Sequence, residues 1–345
     1  MNSSRKKWLV GWLLLGALMV FAMVVVGGIT RLTNSGLSMV DWHLIVGAVP
    51  PTTDVEWQTT FEDYQSSPEF KELNSDYSLE DFKSIFWWEF IHRLLGRVLG
   101  VVFLIPFIFF LIKGWLSKKL TLQLLLVFGL GAFQAFLGWF MVKSGLVNEP
   151  RVSHYRLAAH LVTAFITCMV IFWICLSLWK DVGEKIKMNS FGKLVVWFIV
   201  VVLIQIVYGA FVAGTHAGSV HNTWPLMDGQ LIADSVWAID PVYLNFLEGK
   251  SGIQFIHRTL GIAVLIMAGV IYYQGIKQSF LKEQIQAIRW VLICVLFQVV
   301  LGIFTLLFHV PIVLGILHQA GALIVLAVCV YLMHTTIYPA IPKSQ

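Results

Sequence analysis

Four histidines lie inside long apolar segments of the chain: His92, His160, His257 and His318. An ionisable side chain in such a segment is costly unless it is buried and partnered, so each one is a candidate for function. A helical histidine that bonds a neighbouring carbonyl is the common alternative for any single residue. All four, however, lie roughly five to eight residues from the same end of their segments, a depth of about 8 to 12 Å. This shared depth favours a role as ligands.

The number of ligands at each site indicates which group they hold. Two imidazoles, one from each of two helices, are the opposite axial ligands of a bis-histidine haem. A zinc or copper site would need further Cys, His or carboxylate ligands at the same depth, and these segments offer few. The chain has no C-x-x-C-H sequence, so a haem would be held without thioether bonds. We therefore predict that His92 pairs with His160, and His257 with His318, each pair binding haem iron.

An internal repeat supports this pairing. The segment 90–96, FIHRLLG, recurs as 255–261, FIHRTLG, and differs at one position. The segment 134–138, QAFLG, corresponds to 298–302, QVVLG, and the second histidine of each pair also corresponds. Because the order of the matches is preserved, we predict a duplication with an N-terminal half at 1–180 and a C-terminal half at 181–345.

Composition places these halves in a membrane. The chain is 58% hydrophobic and 12% charged, and apolar runs long enough to cross a bilayer recur eight times. They are 8–28, 85–112, 121–142, 154–179, 193–213, 254–276, 287–308 and 312–334. An even number of spans per repeat makes the two repeats parallel. The predicted fold is an all-α integral membrane protein of eight transmembrane helices, arranged as two pseudo-two-fold-related four-helix bundles.

Charge gives the orientation. Lys and Arg concentrate before the first span and between spans two and three, four and five, and six and seven, so we predict that both termini are cytoplasmic. The two long loops on the other side, about 29–84 and 214–253, are acidic and outward. The net charge of +5 then reflects membrane topology, and no nucleic-acid partner is expected. All four cysteines lie within spans, so we predict no disulfide.

The two halves differ beside the first histidine of each pair. Glu89 lies three residues before His92, on the same helix face, whereas Gln254 lies at the same place before His257. A carboxylate buried beside one ligand pair could serve as a general acid or base. We therefore predict that proton chemistry belongs to the N-terminal half. In the alternative, Glu89 simply forms an ion pair with Arg93.

Other residues near the histidines each allow two interpretations. Arg93, Arg97 and Arg258 either pair with haem propionates or extend towards lipid headgroups. Glycines beside the ligands either admit a flat ring or allow ordinary close packing of helices; they are Gly96, Gly138, Gly261, Gly302, Gly315 and Gly321. The other histidines have loop or interface roles by default: His43, His154, His216, His221, His309 and His334. Ser78 is predicted to cap a helix that starts outside the membrane.

At these residues the chain resembles the haem A synthase family. The motifs that carry the resemblance are GGITRLTNSGLSMVDW, FKSIFWWEFIHRLLGR, GWFMVKSGL, YRLAAHL, HAGSVHNTWPLM, QFIHR and LHQAGA, which cover nearly the whole chain. The resemblance implies oxidation of a methyl group of haem O to the formyl group of haem A, by two hydroxylations and a dehydration. It assigns Glu89 as the required carboxylate, His92 and His160 to the substrate haem, and His257 and His318 to a resident haem b.

The resemblance also implies a subgroup of the family, a cellular location and candidate partners. Part of that family has a cysteine pair in the first outer loop, which this chain lacks, and the long first loop looks like the mitochondrial and proteobacterial subgroup. We expect a multi-pass protein of the bacterial inner membrane, with haem sites near the outer face. Haem O synthase, oxidase assembly factors and a second copy of the chain are candidate partners, and the electron donor or acceptor is open. The alternatives are a di-haem electron-transfer cytochrome, a transporter and a structural assembly factor.

Overall fold

The structure of the protein, a computed structural model, describes residues 3–40, 49–145, 150–180 and 186–339. The regular elements within these ranges are helices joined by turns and loops, and the ranges contain no β-strand. The α-helices are α1 (Ser3–Leu32), α2 (Asp54–Gln65), α3 (Pro68–Leu73), α4 (Leu79–Ile112), α5 (Lys118–Gly145), α6 (His154–Trp179), α7 (Ser190–Thr215), α8 (Lys250–Ile276), α9 (Lys282–Leu307) and α10 (Ile312–Ile337). Three short 3-10 helices, Ala217–Ser219, Asp234–Trp237 and Val242–Phe246, lie between α7 and α8. The predicted all-α class is confirmed.

Eight of these helices, α1 and α4 to α10, are long and apolar enough to cross a membrane. The predicted number and position of the spans are therefore confirmed. Helix α4 has 34 residues, which is about 50 Å and exceeds a hydrocarbon core of about 30 Å. It begins at Leu79 directly after Ser78, whose hydroxyl accepts a hydrogen bond from the Asp81 N–H. The predicted N-cap is thus also confirmed.

Contacts divide the chain into two compact units. One consists of Leu18–Ala164, and the other of Met1–Ala17 together with Phe165–Gln345. In the second unit α7 and α9 each pack against both α8 and α10, which gives a closed ring of four helices. The predicted halves at 1–180 and 181–345, their pseudo-two-fold relationship and the cytoplasmic location of both termini remain predictions.

In the first unit, two helices that the sequence analysis did not predict precede α4. Thr53 and Glu56 form a capping box at the start of α2, and Ser67 caps α3. Helix α2 packs against α4 through a buried group that we call the α2–α4 cluster. Its members are Trp57, Phe61, Tyr64, Phe82, Ile85, Phe86 and Phe90. The rings of Tyr64 and Phe82 stack with centroids 5.0 Å apart, so the segment before α4 is a packed structure.

Candidate haem sites

The imidazoles of His257 and His318 come together from α8 and α10. Their ring centroids are 6.3 Å apart and their planes lie at 82°. A metal bound from opposite sides by one nitrogen of each ring, at about 2.0 Å, places the ring centres about 6 Å apart. The separation of the two rings is thus of the size that one shared iron requires, and haem binding by this pair remains a prediction. In the first unit, His92 of α4 and His160 of α6 are close enough to interact electrostatically.

Each histidine packs against a glycine of a neighbouring helix. A Cβ atom added to that glycine would contact the ring more tightly than nine in ten real Cβ atoms contact their neighbours, so the ring would have to shift. These distances are 3.1 Å from Gly27 to His92 Nε2, 3.2 Å from Gly138 to His160 Cε1, 3.2 Å from Gly209 to His257 Cε1, and 2.7 Å from Gly302 to His318 Cε1. The Gly302 distance is below 3.0 Å, a separation from a neighbouring heavy atom that real Cβ atoms essentially never show. The glycines thus make room for the imidazoles, which is a third role beside the two the sequence suggested.

Glutamines fix the second histidine of each pair. The amide nitrogen of Gln134 in α5 lies 3.1 Å from His160 Nδ1 and donates to the His160 carbonyl at 3.0 Å. Gln298 in α9 makes the same two contacts with His318, at 3.1 and 2.7 Å. A histidine that binds a metal through one ring nitrogen is oriented by a contact to the other. Each glutamine thus restrains its histidine both at ring atom Nδ1 and at the main-chain carbonyl.

Glu89 is buried, with 3% of its surface exposed. One carboxylate oxygen, Oε2, accepts hydrogen bonds from the Ser38 hydroxyl at 2.7 Å and the Met39 N–H at 2.9 Å. The other oxygen, Oε1, accepts from Arg93 Nη2 at 2.5 Å. The ion pair of the alternative interpretation is therefore present. It occurs with a buried carboxylate whose two oxygens are both held in place.

Gln254 donates hydrogen bonds to its loop, whereas Glu89 accepts them. It is 2% exposed, and its amide nitrogen donates to the carbonyls of Ala217 at 2.9 Å and His221 at 3.3 Å. The loop opposite Gln254 thus presents acceptors, whereas the loop opposite Glu89 presents donors. His221 is itself fixed, because its ring contacts Asp228 Oδ2 at 2.5 Å and Ser251 Oγ at 3.0 Å. The bond with His221 is the main cause that lowers the pKa of Asp228.

The arginines bind the same loops. Arg93 Nη2 donates to the Met39 carbonyl at 3.0 Å, and Arg258 Nη2 donates to the His221 carbonyl at 2.5 Å. Each arginine therefore ties a loop to the helix that carries the first histidine of its pair. The propionate contacts predicted for Arg93, Arg97 and Arg258 remain predictions. Of the remaining histidines, His43 lies outside the described residues.

Comparison with known proteins identifies the family. A sequence profile of the family described as cytochrome oxidase assembly protein matches residues 10–330. The chain belongs to that family. Three relatives of this assembly-protein family are named haem A synthase. The relative from Flavobacterium johnsoniae is 44% identical over 96% of this chain and 98% of its own length. The relative from Nitrosospira multiformis is 43% identical over 94% and 92%, and that from Wolbachia pipientis is 39% identical over 93% and 91%. The predicted family resemblance is confirmed.

The sequence analysis missed several residues of the sites. Gly27 and Gly209 lie at corresponding places in the repeat, and this correspondence was a usable signal. Gln134 and Gln298 were matched in the repeat without a role being assigned. Ser38 gave no signal, because it meets Glu89 across 51 residues of sequence.

Proposed function

We propose that this protein is a haem A synthase, an oxidoreductase that converts a ring methyl of haem O to the formyl group of haem A for terminal oxidases. The proposal rests on the names of relatives that match nearly the full length of the chain. The observation that carries it from this chain is the buried, doubly held carboxylate of Glu89 beside one histidine pair, with an amide at the matching place beside the other.

In this proposal His257 and His318 hold the resident haem b, and His92 and His160 bind the substrate haem. A resident haem supplies one-electron redox chemistry when bound. Gln298 orients His318, and Gly209 and Gly302 leave space for the rings. The C-terminal half thus provides the redox group in this proposal.

Glu89 acts as the general acid or base on the substrate side. Its Oε2 is held by Ser38 and Met39 and its Oε1 by Arg93, so the carboxylate can exchange a proton without changing its position. Two hydroxylations of one methyl, each a two-electron oxidation that draws on an oxidant from outside the chain, are followed by dehydration of the diol to the aldehyde. Positioned acid–base groups of this kind contribute about 10²- to 10⁴-fold in rate.

The protein is a multi-pass membrane protein by the length and composition of its helices. We assign it to the bacterial inner membrane with its haem sites near the outer face, since each histidine lies in the part of its span that is remote from the Lys- and Arg-rich loops. Haem O synthase and oxidase assembly factors are the partners that this function implies.

The test is production of haem A. The full chain is expressed in a bacterium that makes haem O but no haem A, and extracted haems are separated by chromatography. We expect haem A in the extract and haem b on the purified protein. Bound haem b with no haem A in the extract would instead indicate a di-haem electron carrier.

A further inference from the structure

A second buried carboxylate lies in the segment before α4. Glu69 belongs to the short helix α3, outside the membrane-spanning helices, and is 4% exposed. Its Oε2 accepts a hydrogen bond from the Tyr64 hydroxyl at 3.2 Å. The Asn74 side chain in turn donates to the Tyr64 hydroxyl at 2.8 Å. Asn74 thus orients Tyr64, and Tyr64 orients Glu69.

The surroundings of Glu69 lead to Glu89. Tyr64 is a member of the α2–α4 cluster, and so is Phe90, the residue that follows Glu89 in α4. Met39 packs against the same cluster, and its N–H donates to Glu89 Oε2. One packed group of side chains therefore contacts the neighbours of both carboxylates.

The ionisation of Glu69 is shifted by this environment. Burial raises the pKa of Glu69 to about 8, the Tyr64 hydrogen bond opposes this, and the negative charge of Glu89 adds to it. Tyr77 also responds, because burial and then the charge of Glu69 raise its pKa. Among the described residues, no cation acts on Glu69. A carboxyl with a pKa near neutrality exchanges protons readily at physiological pH.

We propose that Glu69 is the proton-exchange carboxylate of the substrate half, passing protons between Glu89 and the outer solution. This inference rests on the proposed function. In the step an O–H bond of one carboxyl breaks, water carries the proton, and an O–H bond of the other carboxyl forms; no electron moves. Tyr64 is a positioning residue, since it acts through Glu69. The packed segment before α4 then carries the proton-exchange group of the site.

Infrared titration tests the ionisation without requiring activity. The purified full-length protein in lipid discs should show a protonated-carboxyl band that disappears as the pH rises through about 8. The band should be absent in Glu69→Gln. Glu72→Gln, an exposed neighbour in the same helix, is the matched control and should retain it. A wild-type band that does not titrate near this pH, or that persists in Glu69→Gln, overturns the proposal.

Two variants test whether the ionisation of Glu69 depends on Glu89 and on Tyr64. They should shift the midpoint of the Glu69 titration in opposite directions. Glu89→Gln removes a negative charge, so the midpoint of Glu69 should move to lower pH. Tyr64→Phe removes a hydrogen bond that favours the carboxylate, so the midpoint should move to higher pH. An unchanged midpoint in Glu89→Gln would show that the two carboxyls do not communicate, and the proposal would fail.

The pH profile of haem A formation tests the role in turnover. The wild-type rate should change around pH 8, and Glu69→Gln should lower the rate by about tenfold or more and flatten this change. An unaltered profile in Glu69→Gln contradicts the proposal. Failure of the proposed function looks different, because the wild type would then form no haem A while the infrared titration of Glu69 stayed as described.

Discussion

Glu89 and Gln254 differ in one functional group, and each lies three residues before a histidine that we propose as a haem ligand. The carboxylate accepts from a hydroxyl and a main-chain N–H. The amide donates to two main-chain carbonyls. Each side chain is therefore matched to its own loop, and a buried polar group that lost such partners would be costly.

Replacing Glu89 by Gln should stop conversion of haem O. We expect haem A formation to fall by at least about 100-fold, because the general acid or base on the substrate side is removed. Haem binding should persist, because the amide keeps one oxygen that can accept from Ser38 or Met39. Haem extraction and the absorption spectrum measure the two effects. Glu80→Gln, at an exposed position in the first turn of α4, is the control; unchanged haem A in Glu89→Gln would remove Glu89 from the mechanism.

Replacing His257 by Ala should deplete the resident haem b, because one of its two axial ligands is lost. His160→Ala is the matched variant in the other half, and should abolish haem A formation while leaving the low-spin haem b spectrum intact. Undiminished haem b in His257→Ala would count against the proposed ligand assignment.

The four candidate histidines and Glu89 stand out in the sequence because an ionisable residue in an apolar span is rare and the repeat supplies an internal comparison; their roles remain predictions. The partners of Glu89 could not be named. Ser38 and Met39 contribute a hydroxyl and a main-chain N–H, groups that almost any loop contains. Only the folded chain shows that these groups reach the carboxylate.

At the scale of helices, the four glycine–histidine contacts explain how imidazole rings fit between packed spans. Gly302 of α9 and His318 of α10 are the tightest case, since an added Cβ would lie 2.7 Å from the ring. Glycine in a membrane helix usually brings two backbones together. Here it brings a backbone against an imidazole.

Gly302→Ala should weaken retention of the resident haem. The added methyl must displace the His318 ring, and overpacking of this kind costs about 1 to 3 kcal/mol, or about 5- to 150-fold in affinity. Haem content after purification is the measurement. Gly269→Ala in α8, where an added Cβ meets nothing within 4 Å, should have no effect, and equal haem loss in both variants would show that ring displacement is not the cause.

The spanning helices were predictable because length and apolarity alone define them. Helices α2 and α3 were missed although their local signals were present. Thr53 with Glu56 is a capping-box sequence, and Ser67 followed by Pro68 marks a helix start. Both helices are short, so the periodicity of their apolar residues is weak. Their packing at the α2–α4 cluster, through Trp57 of α2 and Phe70 of α3, is not visible in the sequence.

For the whole molecule, the all-helical class and the eight spans followed from composition, and the structure confirms them. The duplication, the division near residue 180 and the orientation depend on comparisons between distant segments and on charge outside the spans. They remain predictions, because helix positions alone do not identify which side of a membrane each loop faces.

Both termini should be cytoplasmic. A reporter that fluoresces only in the cytoplasm should be active when fused after Gln345, and a reporter active only in the periplasm should work when inserted between α7 and α8. The asymmetry of Lys and Arg between alternate loops is the physical reason. The reverse pattern would invert the assignment and place the histidine sites near the inner face.

The opposed polarity of the two loops also bears on evolution. Glutamate and glutamine codons differ at a single base, so mutation can exchange the residues at positions 89 and 254 easily. A glutamate at 254 would nevertheless face the carbonyls of Ala217 and His221, and like partial charges would repel. A functional replacement of Gln254 by glutamate would therefore also need a change in the loop that presents these carbonyls. This second requirement helps selection to keep the two halves different, although the codon change itself is a single base.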